Sequence, residues 1–184
     1  MKTKLVKDLM IPADLYPTID EDATMLEAVV ALRKAQENVP PGQQPFRAVL
    51  VVNKQKKIVG KIGHLSFLKA LEPKYNQVFD IDKLTRANMS SMYLETMLGH
   101  YNLWDDSADN ICQIAKSSLA RDIMQPVIEN IDENEPLLKA IHRIIMWQSL
   151  SVLVTRGNEI VGILRLSDVY DEVENFITSS CQKK

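Results

Sequence analysis

Cysteine is scarce: the 184 residues hold two, Cys112 and Cys181, far apart and without a Cys-x-x-Cys or Cys/His cluster beside either. That excludes a disulfide framework and a structural zinc site, and a reducing compartment is the simpler setting. Glycine is scarce too, at six in the whole chain, and none belongs to a phosphate-cradling loop or a Gly-x-Ser-x-Gly turn. His64, His100 and His142 stand apart from any acid or cysteine at metal-ligand spacing, and no His-Glu-x-x-His occurs. With neither nucleophile, acid–base pair nor metal cluster suggested by spacing, the chain reads as non-catalytic and as requiring no cofactor. Charge of one sign is missing as well. The net charge is −2, with Lys and Arg scattered among Asp and Glu, so neither nucleic acid nor an anionic membrane is an expected partner. No stretch approaches the roughly 20 apolar residues of a membrane span, and the N-terminal lysines meet Asp8 and Pro12 before any apolar run develops. The expectation is a soluble, cytoplasmic protein whose hydrophobic content supports one sizeable core or two small ones.

What the sequence does have is a repeat, and a repeat fixes architecture before any motif is interpreted. Leu5-Val6-Lys7-Asp8-Leu9-Met10-Ile11-Pro12 returns 114 residues later as Leu119-Ala120-Arg121-Asp122-Ile123-Met124-Gln125-Pro126. Ile19-Asp20-Glu21-Asp22 returns 112 residues later as Ile131-Asp132-Glu133-Asn134, and Ile58-Val59-Gly60 returns 102 later as Ile160-Val161-Gly162. The first copy therefore carries ten extra residues between its helix and next strand, around Asn38-Val39-Pro40-Pro41-Gly42-Gln43-Gln44-Pro45. Three prolines and a glycine read as an extended surface loop.

Each copy spells strand, helix, strand, strand, helix. In the second copy the strand Ile128–Ile131 leads to a helix for which Asn134 offers a capping side chain and Pro136 a first-turn residue. Leu138, Ile141 and Ile145, with Leu137 and Ile144 beside them, form an apolar stripe expected to face a core. Ser151–Val154 and Glu159–Leu164 form a hairpin about Thr155–Asn158, and a last helix runs from Ser167 to about Phe176. The first copy has Thr18-Ile19, the helix Met25–Gln36, the strands Ala48–Val52 and Lys57–Ile62, and a helix Leu65–Leu71. The leading motifs, Leu5–Met10 and Leu119–Met124, read as short helices. One such unit is marginal on its own, so the two are expected to pack together.

Residues 73–118 are too long for a structureless connection. Met89, Met92, Tyr93 and Met97 keep helical spacing, as do Ile111, Ile114 and Ala115, with Gly99 a candidate break. Ordinary packing accounts for the methionines better than a cofactor role, and Met92, Tyr93 and Trp104 leave open a protein-binding surface. Lys54, Lys56, Lys57 and Lys61 crowd the first hairpin, where a solvated face is the favoured reading over a phosphate- or RNA-binding patch.

The repeated leading motif, the central apolar strand and the hairpin ending Ile-Val-Gly before a final helix resemble the CBS-domain family. The likeness covers about residues 3–72 and 119–178, with 73–118 as a helical insert. It implies an α/β fold: two β-α-β-β-α repeats related by pseudo-two-fold symmetry, forming one Bateman module. It also implies homodimers assembled through the repeats, a regulated protein partner, and an inter-repeat cleft taking AMP, ADP, ATP, S-adenosylmethionine or NAD.

The family's ligand motif, Gly-x-x-Thr/Ser-x-x-Asp, falls on Gly162-Ile163-Leu164-Arg165-Leu166-Ser167-Asp168, where Asp168 is present and Arg165 replaces the hydroxyl residue. A carboxylate at a helix start can accept from two vicinal ribose hydroxyls. The first copy reads Gly60-Lys61-Ile62-Gly63-His64-Leu65-Ser66 and lacks both the hydroxyl residue and the Asp. The resemblance thus implies one candidate site at Asp168 and Arg165, with adenine against Val127, Ile128, Ser151 and Val152, and a degenerate second site at Gly63, His64 and Ser66. Helix capping alone would equally explain Asp168 and Ser66. Arg165 has two readings, a phosphate clamp or an ion pair with Asp168 or another acid that shuts the pocket. A scaffold that has lost its ligand and acts through the insert is the rival to a ligand sensor.

Overall fold

The first backbone N–H of a helix has no partner inside the helix, and in this chain the first helix of each repeat finds one in the same unexpected place. In the computed structural model, which describes residues 3–41, 43–72, 74–75 and 110–181, the strands are β1 (Ile11–Pro12), β2 (Thr18–Asp20), β3 (Ala48–Val52), β4 (Ile58–Gly63), β5 (Gln125–Pro126), β6 (Asn130–Asp132), β7 (Ser151–Arg156) and β8 (Glu159–Arg165). The helices are α1 (Met25–Glu37), α2 (His64–Ala70), α3 (Ile111–Ser117), α4 (Ala120–Ile123), α5 (Leu137–Trp147) and α6 (Leu166–Cys181). The Leu137 N–H that opens α5 donates to the carbonyl of Lys4 at 2.9 Å, and the Met25 N–H that opens α1 donates to the carbonyl of Ser118 at 2.8 Å. Each acceptor lies just before the other copy's leading motif.

The chain divides accordingly into two compact units that do not follow the repeat. One takes Met1–Tyr16, Gly42–Gln44 and Val127–Lys184, and the other Pro17–Pro41 and Pro45–Pro126. In the first unit the sheet order is β1-β8-β7-β6, and in the second β2-β3-β4-β5. Both are built alike: a parallel pair (β6 with β7, β2 with β3), an antiparallel hairpin, and a two-residue fourth strand contributed by the other copy's leading segment. Val6 N–H and Lys7 N–H donate to the carbonyls of Glu135 and Glu133, and Ala120 N–H and Arg121 N–H donate to those of Ala23 and Glu21. Val6 is fully buried among Ile131, Leu137, Ala140, Ile144 and Leu164, while Ala120 is fully buried among Met25, Ala28, Val49 and Ile62.

The repeated motif residues are the ones this exchange uses. Lys7 donates to the side chain of Asn134 at 3.0 Å, and Arg121 pairs with Asp22, which Lys54 also approaches at 3.6 Å. Asp20 and Asp132 each accept from the backbone two residues on, at 3.0 and 2.8 Å, turning the chain toward the next helix. Gly60 and Gly162 admit the fourth strand: a Cβ on Gly162 would sit 2.7 Å from the Ile11 carbonyl oxygen and 2.8 Å from the Met10 sulfur, and one on Gly60 would sit 2.7 Å from both the Gln125 carbonyl oxygen and the Met124 sulfur.

The β-α-β-β-α order in both copies stands as expected, and several local readings do not. The leading motif of the first copy is a single 3-10 turn, Val6–Asp8, and that of the second is the four-residue α4. Asn134 does not cap α5. Pro136 holds the cap position, and the Asn134 side chain serves Lys7 instead. Only part of the α5 stripe faces the core: Leu137, Ala140 and Ile144 are buried, whereas Leu138 and Ile145 are exposed. Lys61 is no member of a solvated patch, being buried on β4. Thr24 opens α1 with a reciprocal pair to Glu27 that Pro136 cannot form in the second copy. Met89, Met92, Tyr93, Met97, Gly99, His100 and Trp104 lie outside the described residues, and α3 covers Ile111, Ile114 and Ala115.

Gly162→Ala is expected to destabilise the protein by about 1–3 kcal/mol, because backbone on one side and a packed methionine on the other must move. Denaturant unfolding measures this; a midpoint equal to that of the unsubstituted chain would show that β1 does not lie against β8 as described.

Candidate functional site

The end of β8 runs directly into α6, so the last strand residue and the first helical turn share a corner. Arg165 closes the strand opposite Ser151 of β7, and Asp168 is the third residue of the helix. An i,i+3 spacing across that corner brings the two side chains together: Arg165 donates through Nε and Nη2 to the two carboxylate oxygens of Asp168, each at 2.6 Å. Arg165 is 8% exposed. Its Nη1 donates at 3.1 Å to the backbone carbonyl of Gln44, on the ten-residue extension of the first copy.

Tyr16 completes the cluster. A 3-10 turn, Ala13–Leu15, ends the leading segment and delivers Tyr16 to this corner, where its side chain is 5% exposed and its oxygen is hydrogen-bonded with Arg165. Burial pushes the Tyr16 hydroxyl up to about 12, the Arg165 charge pulls it down, and the Asp168 charge adds to the rise. Burial works against the charge on Arg165, yet the hydrogen bond and charge of Asp168, with Tyr16 behind them, raise its pKa further. The guanidinium is therefore a fixed cation with its planar fork engaged.

The ion pair of Arg165 with Asp168, one of the two readings of Arg165, is present in the structure. The capping reading of Asp168 is overturned, since both its oxygens serve Arg165 rather than backbone N–H groups. Ser66 does not cap α2 either. Gly63 holds the cap position, and Ser66 is a buried residue one turn inside. His64 opens α2 exposed, and the position equivalent to Asp168 carries Ser66. Among the predicted lining residues, Ser151 faces Arg165 across the hairpin and Val152 belongs to the core of its unit. Val127 and Ile128 lie on the turn before β6, with Ile128 77% exposed. Tyr16 and Gln44 were not legible as site residues. Tyr16 sits among residues that read as a connection, and Gln44 contributes only a backbone carbonyl. Among the described residues no group of three or more His, Cys, Asp or Glu side chains could hold a metal ion, and no helix is long and apolar enough to cross a membrane.

The CBS domain profile matches residues 6–73 and 120–175, which takes in both copies. The chain belongs to the CBS-domain family. As a tandem CBS pair it resembles a CBS domain-containing protein from Bacillus anthracis, with a TM-score of 0.61 at 13% identity over 95% of each chain. It also resembles CBSX2, solved in complex with AMP, with a TM-score of 0.58 at 13% identity over 94% of this chain and 97% of that one. The CBS domain of a bacterial CNNM/CorC family Mg2+ transporter, solved in complex with ATP, gives a TM-score of 0.58 at 14% identity, covering 94% of this chain and 89% of that one. No curated protein matches. At these identities the CBS fold is what the solved structures share with this chain.

Because the Tyr16 pKa is raised from 10.0 to about 12 in the folded protein, the unfolded chain releases this proton first as pH rises. The contribution of Tyr16 is thus fully present below pH 10 and lost between 10 and 12. Tyr16→Phe should flatten the alkaline limb of the stability profile across that window, as followed by denaturant unfolding at successive pH values. An unchanged limb would place the hydroxyl in water.

Proposed function

We propose that this tandem CBS module is regulatory and non-catalytic, and that it takes an adenosine-containing nucleotide at the corner of β8 and α6, signalling occupancy to a partner protein. The observation that carries the reading is the pairing of a carboxylate and a guanidinium at one buried corner. Asp168 stands at the family's ribose position and Arg165 directly beside it, joined by two 2.6 Å contacts. A carboxylate suits the vicinal hydroxyls of ribose and a guanidinium suits a phosphate, so the two groups match the two polar parts of a nucleotide. The AMP and ATP complexes of two structural relatives support the ligand class. Gly63, His64 and Ser66 form a second site without a carboxylate or a guanidinium, so occupancy is asymmetric.

The module acts as a homodimer. Repeat-equivalent positions, Leu26 with Leu138 and Leu68 with Tyr170, are exposed in both copies, and α5 presents Leu138 and Ile145 one face away from its buried stripe. Two apolar faces on one helix suit a helix that packs on its own core and on a second subunit.

A scaffold reading is favoured by one observation, the occupation of both Asp168 oxygens by Arg165. Calorimetric titration with AMP, ADP, ATP, S-adenosylmethionine and NAD separates the two. The sensor reading expects binding by the phosphate-bearing ligands and a loss of about tenfold or more in Asp168→Ala, the order expected for hydrogen bonds to a charged group. A silent panel at millimolar ligand, or binding indifferent to the substitution, would leave the scaffold.

A further inference from the structure

The ten-residue extension of the first copy and the last helix of the second are joined at one side chain. Arg165 holds Asp168 with Nε and Nη2 and the Gln44 carbonyl with Nη1. The second copy has no counterpart of the extension, so this coupling exists at one corner of the protein. Charge balance then decides what can use Asp168. A neutral nucleoside that drew the carboxylate to its ribose hydroxyls would leave the buried Arg165 fork without its hydrogen-bonded partner, which is costly. A sulfonium ligand such as S-adenosylmethionine would bring a second positive charge to the same corner. A phosphate beside the ribose removes the difficulty, since a guanidinium can grip a phosphate with the same two-pronged geometry it uses on a carboxylate.

The geometry points to Arg165 as an exchangeable latch: closed on Asp168 and Gln44 without ligand, and passed to the ligand's phosphate when a nucleotide binds, freeing Asp168 for the ribose hydroxyls and the Gln44 loop from its tether. The inference rests on the nucleotide reading above and adds to it both a charge selectivity and a moving part. The ligand favours the open arrangement only through contacts it makes there, which the phosphate supplies and a bare nucleoside does not.

The test uses the full chain, unsubstituted and as Arg165→Met, titrated with AMP, adenosine and S-adenosylmethionine, with backbone NMR order parameters at Gln44 and Phe46 as the loop readout. The unsubstituted protein should prefer AMP over adenosine by about tenfold, the order expected of charge-assisted hydrogen bonds. It should bind S-adenosylmethionine most weakly. Arg165→Met should lose the AMP preference, and its ligand-free Gln44 order parameter should fall to that of the AMP-bound unsubstituted chain. Equal affinities in the unsubstituted protein, or a preference retained in Arg165→Met, overturns the latch. If no ligand binds either protein, the nucleotide reading fails and the ligand-free comparison alone decides: an unchanged Gln44 order parameter overturns the tether, and a fall supports it. Should Arg165→Met not fold, Arg165→Lys keeps the charge but cannot span Asp168 and Gln44 together, so Gln44 must still loosen.

Discussion

Everything else in this fold depends on the capping of the first helix of each repeat by the other copy's leading segment. The N–H groups that open α1 and α5 donate to Ser118 and Lys4, residues separated from them by most of the chain. An unmade hydrogen bond at a buried group costs about 1–3 kcal/mol, and each crossing also supplies a sheet strand and a fully buried side chain, Val6 or Ala120. Remove a leading segment and the helix start, the sheet edge and the core of the opposite copy all lose a partner at once. A single repeat of about 60 residues would be marginal for its small core, and the exchange gives each repeat the cover it lacks.

The same crossing builds the candidate site. Tyr16 reaches Arg165 because the first copy's leading segment belongs to the unit that contains β8 and α6, and Gln44 reaches it because the extension returns to that unit. At the equivalent corner of the first copy the repeat offers the hydroxyl of Ser66 in place of a carboxylate and Gly63 in place of an arginine. The copies are alike where the backbone needs them alike, at Gly60 and Gly162, Met10 and Met124, Asp20 and Asp132. They differ at the corner of the proposed site, Arg165 and Asp168 in one copy against Gly63 and Ser66 in the other.

The sequence made the architecture readable because its repeat is a backbone requirement. Ala48–Val52 was legible as a strand to the residue, since an unbroken apolar run of that length in a small α/β unit is a covered central strand. Asp168 and Arg165 were legible by motif position, and their pairing was one of two readings left open. The partners of the leading motifs were not legible, because hydrophobic periodicity says which face is buried and not against what. Asn134 was misread as a cap for that reason: a polar residue before a helix fits local chemistry, and only the fold reveals that Lys7 claims its side chain. The exposure of Leu138 and Ile145 was hidden similarly, since a helix apolar on two faces gives one continuous signal. Gln44 had no side-chain signature at all.

We infer that Asp168 and Arg165 form one device, closed on each other in the unliganded chain and divided between ribose and phosphate in the liganded one. A crystal structure of the full chain grown with AMP decides it. The expected electron density shows the Asp168 carboxylate on the ribose hydroxyls, the Arg165 guanidinium on the phosphate and the Gln44 carbonyl released. An intact Arg165–Asp168 pair, with the nucleotide bound elsewhere or absent, would contradict it.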